Sequence, residues 1–166
     1  MSGRTLRRRA PWLLAGLILA MSTGCGHRGP AGKTPTAAPS DPTFRDFGNF
    51  EVHFNAIRSD ELPTEVARAY GIERSANRVM LNVALMRKHP NAQASPADGD
   101  VTVTAYNLNG QLKDLKMRRI SEGSSIYFIG EVSISGDEIL VFDISATPLG
   151  QRAKYTVQFK REFFAG

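Results

Sequence analysis

The chain has 166 residues, 42% of them hydrophobic and 22% charged, which suits at most one ordinary globular domain. Its formal charge of +5 would favour an anionic partner, but four of the 21 basic residues (Arg4, Arg7, Arg8 and Arg9) crowd the extreme N-terminus, leaving 17 basic against 16 acidic side chains and no reason to expect nucleic acid. A single cysteine, Cys25, excludes an intramolecular disulfide and a Cys-rich zinc site, and no two of His27, His53 and His89 are spaced to share a helical face, so no metal or other cofactor is expected.

The N-terminus reads as an address. After the arginines comes an apolar run from Pro11 to Met21, then the small residues Ser22-Thr23-Gly24 and Cys25, the order of a secretory signal. Eleven helical residues rise about 16 Å, half of a hydrocarbon core, so the run is too short for a permanent span. Two cleavage readings compete. Ala20-Met21-Ser22 is a small-x-small site that would release a soluble periplasmic protein, whereas Ser22-Thr23-Gly24-Cys25 resembles the lipobox of bacterial lipoproteins, departing from it at Ser22, where Leu is usual. The sole cysteine standing directly after the apolar run favours the second. Residues 1–24 are then a lipoprotein signal peptide, and acyl chains on Cys25 anchor the protein stably to a membrane. Gly26 stands where lipoproteins retained in the inner membrane carry Asp, so the resemblance implies the outer membrane, facing the periplasm.

Residues 25–43 are the lipidated cysteine and a tether. From Gly26 to Thr43 there are four prolines and no large apolar side chain, so burial cannot offset the entropy of ordering. Such a segment spans roughly 25 Å as a coil and about 55 Å as polyproline helix.

From Phe44 to the end, residues 44–166, the pattern changes to period two. Apolar rows run through Phe50-Val52-Phe54, Val79-Leu81-Val83-Leu85, Val101-Val103-Ala105, Leu115-Met117 and on to Arg119, Ile126-Phe128-Gly130-Val132-Ile134, Leu140-Phe142-Ile144, and Tyr155-Val157-Phe159 with Phe163. Seven segments with one apolar face each predict an all-β fold of antiparallel sheets packed face to face. Asn109-Gly110 can take the left-handed angles of a tight hairpin turn, and Glu122-Gly123, Gly136-Asp137 and Pro148-Leu149-Gly150 mark later reversals. One short helix is expected over Thr64–Tyr70, with Thr64 as N-cap, Gly71 as stop, and Val66 and Tyr70 docking on a sheet.

Four segments, Val52-His53-Phe54-Asn55-Ala56, Glu65-Val66-Ala67-Arg68-Ala69-Tyr70-Gly71-Ile72-Glu73-Arg74-Ser75, Asn107-Leu108-Asn109-Gly110-Gln111 and Ile120-Ser121-Glu122-Gly123-Ser124-Ser125-Ile126-Tyr127-Phe128, resemble in the same order an uncharacterised family of exported bacterial proteins, the domain of unknown function 4426 family. The resemblance implies an immunoglobulin-like antiparallel β-sandwich outside the cytoplasm with a link to protein–protein contact, and it carries no catalytic residues.

The residues themselves assign no catalytic site: nucleophile elbow, His-Glu-x-x-His helix and phosphate-cradling glycine loop are all missing. Asp98-Gly99-Asp100 has two of the six or more oxygens a calcium site needs and reads as a polar loop entering the Val101 strand. Lys113, Lys116, Arg118 and Arg119, with Lys160-Arg161, form a basic stretch that is either a solvated face or a patch for lipid headgroups or an acidic partner. The candidate binding residues are Tyr70, Arg74, Asn107, Gln111, Glu122 and Tyr127, all at element ends, where sandwich loops gather binding groups. Each has a structural alternative: Asn107 and Gln111 satisfy a turn, Arg74 and Glu122 pair, and Tyr127 buries its ring and bonds its hydroxyl locally. A membrane-tethered, non-catalytic module for an envelope protein partner is the leading expectation. A small-ligand carrier or an envelope enzyme are the alternatives.

Overall fold

The computed structural model describes residues 42–164; the export signal, Cys25 and the tether as far as Asp41 lie outside the described residues. The strands are β1 (Phe44–Asp46), β2 (Phe50–Arg58), β3 (Arg78–His89), β4 (Ala92–Ala97), β5 (Gly99–Asn107), β6 (Leu112–Lys113), β7 (Arg118–Glu122), β8 (Ser125–Ser133), β9 (Glu138–Pro148) and β10 (Tyr155–Phe163). A 3-10 turn, Ser59–Glu61, and one helix, α1 (Thr64–Ala69), separate β2 from β3.

All pairings are antiparallel. One sheet runs β1-β2-β3-β8-β7, with β4 pairing the far half of β3, and the other runs β10-β9-β5-β6. Setting β1 and β4 aside, the two orders are those of the immunoglobulin sandwich, A-B-E-D against G-F-C-C′. The all-β expectation holds, but there are ten strands among the described residues rather than seven. β1, β4 and β6 are short and carry no alternating row long enough to be read in sequence. Leu115 and Met117 are not on a strand at all: they lie in the crossover between β6 and β7, which carries the chain from one sheet to the other.

The inner faces hold one core. Val52, Phe54, Val79, Leu81, Val83 and Leu85 from the first sheet meet Ala105, Leu140, Phe142, Ile144 and Val157 from the second, all nearly or fully buried. A ring stack crosses the gap, with Phe159 of β10 4.6 Å from Phe54 and 4.9 Å from Phe142 between centroids. Among the described residues this core draws on the stretch from Phe50 to Phe163, with Phe47 packed against it, and residues 39–166 form one compact unit. The chain also changes sheets between β4 and β5 at Asp98. There Arg119 of β7 grips both carboxylate oxygens at 2.8 Å, and the Asp98 carbonyl accepts from the Leu149 amide at 2.8 Å. The Asp98-Gly99-Asp100 segment is thus the entry to β5, and two cations of the basic stretch form ion pairs within the fold: Arg119 here, and Lys113 with Glu138 at 2.7 Å. Lys116 and Arg118 lie on the exposed side, as alternation requires.

The Asn109-Gly110 hairpin differs from the tight two-residue form. Only Gly110 has a left-handed φ (+77°), and Asn107 pairs with Gln111 through the Asn107 amide and the Gln111 carbonyl at 3.1 Å. The loop therefore has three residues, a turn closed by Gly110 N to Asn107 O at 2.9 Å and followed by one left-handed position.

Gly130 fills a gap in the β8 row for a steric reason. A Cβ there would lie 2.6 Å from Leu115 Cδ1 and 2.7 Å from Met117 Sδ, because the β6–β7 crossover lays these side chains across the strand. Gly130→Ala is expected to destabilise the fold by about 1–3 kcal/mol by overpacking. Urea denaturation followed by fluorescence measures this, and an unchanged midpoint would show that the crossover can shift freely.

Candidate binding site

The sequence between β2 and β3 folds down onto the outer face of the first sheet. Ser59 starts it. Its hydroxyl is fully buried, donates to the Glu73 carbonyl at 2.7 Å and accepts from the Ser75 amide at 2.9 Å, closing both ends of the segment on one side chain. Pro63, not Thr64, is the N-cap of α1, and no side chain caps it; Thr64 is the first helical residue, and its hydroxyl accepts from Arg74 Nη1 at 3.0 Å. Gly71 ends the helix as expected. With φ +62° it lets the Ile72 amide reach the Ala67 carbonyl (2.8 Å) and its own amide reach Arg68 (3.2 Å), the two bonds of a Schellman motif.

This short helix survives by docking, but only in part through the expected residues. Leu62, Ala67 and Ile72 are buried against Met80 and Ile129, forming a second apolar cluster on the outside of the sheet. Ala67 is small enough to bring the helix down at that end. Val66 stays exposed at 36%, and Tyr70 is half-buried. Tyr70 packs against the edge of that cluster, as expected, while Val66 does not, and the two form one wall of a half-open cleft of about 250 Å³. Met80 and Asn82 of β3 and Tyr127 and Ile129 of β8 line it with them, together with Ile120 of β7 and Leu62.

One polar group sits in this apolar surround. Asn82 Oδ1 is the only buried side-chain oxygen or nitrogen among the described residues without a hydrogen-bond partner. Such an orphan costs about 1–3 kcal/mol. Asn82 also borders a second recess of about 290 Å³, lined by Thr43, His53, Phe54, Asn55 and Ala84. The two recesses therefore adjoin across β3. His53 is stacked on Phe44 (5.3 Å) and bonded to Glu51 (2.9 Å).

The structure gathers three of the six sequence candidates here. Tyr70 and Tyr127 line the cleft, and Glu122 holds its rim by accepting the Tyr70 hydroxyl at 2.6 Å. That bond favours the neutral phenol and raises the Tyr70 pKa above its ordinary value. Arg118 adds a bond to the Tyr70 carbonyl, so the helix end is clasped to the β7–β8 hairpin. Arg74 stands behind the wall and does not pair with Glu122: it donates to Thr64 and to the Asp60 carbonyl. The Tyr127 hydroxyl has no hydrogen-bond partner among the described residues, unlike the local bond its buried-ring reading required.

Asn107 and Gln111 lie elsewhere, at the β5–β6 hairpin of the other sheet. Asn107 is 6% exposed. Its carbonyl oxygen accepts from the amides of Asn109 and Gln111, while its Nδ2 donates to Gln111 Oε1 (2.6 Å) and Glu138 Oε1 (2.9 Å). Every polar atom of that side chain is satisfied, so the turn-building alternative describes Asn107. Burial opposes the charge on Glu138, but the bonds from Lys113 and Asn107 outweigh it and hold the carboxyl below its ordinary value. Asp46 beside Lys88 and Asp98 beside Arg119 are lowered by the same kind of pairing. Among the cleft residues, sequence patterns missed Asn82, which belongs to no motif, and gave Val66 a docking role rather than a place in an open wall. Met80 directly beside the Val79-Leu81 row, making an unbroken apolar run, was the available signal that this strand is covered on both faces.

Fold and site together define an immunoglobulin-type β-sandwich with an apolar cleft on the outer face of one sheet. The chain belongs to the family described as "Domain of unknown function (DUF4426)", whose model matches residues 44–166. A solved relative, a DUF4426 family protein from Pseudomonas aeruginosa PAO1, is 34% identical, with a TM-score of 0.63 over 74% of this chain and 94% of its own. No curated protein matches the chain.

Glu138→Gln is expected to cost about 1–2 kcal/mol at neutral pH by leaving Lys113 without its counter-charge. Because the folded carboxyl titrates below the ordinary value of 4.5, the wild-type advantage should be full above that value and fade as pH falls through the depressed one. Denaturation of both proteins between pH 3 and 7 checks this, and a pH-independent gap would contradict it.

Proposed function

We propose that the protein is a non-catalytic binding module of the cell envelope, tethered by acyl chains on Cys25 to the outer membrane and facing the periplasm. The observation that supports the binding role is the half-open apolar cleft beside α1, walled by the exposed Val66 and by Tyr70 and Tyr127. The non-catalytic part is supported by the titrating groups. The depressed carboxylates are each explained by an ion pair that holds the fold together, and no group of three His, Cys, Asp or Glu side chains gathers among the described residues. The anchor is supported by the order of the N-terminal sequence, with the only cysteine placed directly after the apolar run. A tether of prolines and small residues gives the domain reach from the membrane surface.

Two measurements test this. Intact-mass analysis of the membrane fraction is expected to find wild type beginning at Cys25 with added acyl mass, and Cys25→Ser without it; a wild-type product that starts at Thr23 and carries no acyl mass would remove the anchor. Cross-linking in cells is expected to recover a discrete partner that is lost on Val66→Glu, a change at an exposed wall position that leaves the cores untouched. Recovery of the same neighbours from both proteins would remove the binding role.

A further inference from the structure

We infer that the free edge of β10 joins a second copy of this chain, strand to strand, about a two-fold axis at Phe159. The inference goes beyond the binding-module reading. The α1 cleft lies on the other sheet, over β3, β8 and β7, and stays open in such a pair.

Among the described residues β10 pairs with β9 alone. An antiparallel strand turns the backbone groups of successive residues to alternate sides. Leu149 donates to the Asp98 carbonyl on the β5 side. In the β9 register, Leu140, Phe142, Ile144 and Ala146 therefore turn towards β10 and take its odd-numbered residues, Tyr155 to Arg161. That leaves Thr156, Gln158, Lys160 and Glu162 with N–H and C=O both directed away from the sheet, and their side chains are exposed. The strand is nine residues long, with no proline and no break in register. No other edge matches it. β1 has three residues, β6 two, β7 five, and β4 six with Pro96 among them. Sandwiches blunt their edges by such shortening or by proline, and β10 has neither.

There is room beside it. A half-open groove of about 380 Å³ borders the edge, lined by residues 158–162 together with Pro42, Arg45 and Ile139. Arg161, on the inner row, does not guard the edge: its guanidinium crosses to β2 and donates to Asn55 Oδ1 at 2.7 Å and to the Ala56 carbonyl.

The sequence of the edge selects its own copy. With the axis at Phe159, Gln158 faces Lys160 and Thr156 faces Glu162, and the symmetry makes each pair twice. Every open N–H and C=O then meets a partner, no like charges oppose, and on the inner row Arg161 falls opposite Val157. Moving the axis to Lys160 sets that ammonium against itself. Moving it to Gln158 leaves Glu162 opposite Lys154, which is beyond the strand. The chain's own tether does not serve instead. No more than four residues separate Pro30, Pro35, Pro39 and Pro42 in turn, and each proline removes a ladder donor.

The test uses residues 25–166 with Cys25→Ser, which keeps the tether and leaves no cysteine. Sedimentation equilibrium is expected to show the mass rising from one chain towards two between about 10 µM and about 1 mM, as suits a small, transient interface. Gln158→Lys sets an ammonium opposite Lys160 of the other copy and should weaken association about tenfold. Adding Lys160→Glu makes the facing charges opposite and should restore it. Disulfides read the register, because directly opposite Cα atoms in a hydrogen-bonded pair lie about 5.5 Å apart, within reach of the bond. Oxidising a mixture of Gln158→Cys and Lys160→Cys proteins is expected to link one to the other, and neither to itself. A single mass at every concentration would overturn the inference and leave the edge to some other strand. A dimer indifferent to Gln158→Lys, a mixture that fails to link, or a link formed by either variant alone would overturn it too. Val66→Glu should leave the mass unchanged, so loss of the cleft's partner and loss of the dimer are separate results.

Discussion

Strand β3 is apolar on both faces where it crosses the middle of its sheet. Val79 and Leu81 point into the sandwich with no exposure, and Met80 between them points out and is still buried. A strand like that needs cover on two sides, and the second sheet supplies only one. The other cover is the segment from Ser59 to Ser75, which the chain inserts between β2 and β3. Its hold is local and inexpensive: one serine closes both ends, a glycine ends the helix, and a small patch around Leu62, Ala67 and Ile72 docks. The consequence is geometric. A helix of six residues covers part of a sheet face and leaves the rest, and the uncovered remainder beside it is the cleft. The site is therefore a product of the same demand that shapes the fold, since lengthening the helix or enlarging Ala67 would close or tilt it away.

The inner core was legible because it follows one rule. Every second residue from Phe50 to Ala56, from Val79 to Leu85 and from Leu140 to Ala146 is apolar and buried, as alternation alone requires. The outer cluster was not legible by that rule, because Met80, Ile120 and Ile129 sit at the polar-phase positions of their strands and declare themselves only when the covering segment is in place. Helix orientation was legible only in part. Tyr70, just past α1, packs against the outer cluster, but on the helix itself the close approach is made by Ala67 and not by the larger Val66. Ser59 and Asn82 were beyond reach: their roles are set by partners 14 and 16 residues away in the first case and by the lack of any partner in the second.

Charge tells a parallel story. In sequence, Lys113, Lys116, Arg118 and Arg119 form a run that suggests a surface for anions. In the fold the run spans the crossover from one sheet to the other, so its members separate. Lys113 neutralises Glu138 at the β5–β6 edge, Arg119 clamps Asp98 where β4 becomes β5, and Arg118 reaches the helix end. Only Lys116 is left with no such bond, too little for a patch. Both ion pairs sit where the chain enters or leaves a sheet, the points at which an immunoglobulin sandwich without a disulfide has least to fix its register. The Lys113–Glu138 pair, shielded from water and with Asn107 also bonded to the carboxylate, contributes more than the exposed Arg119–Asp98 pair.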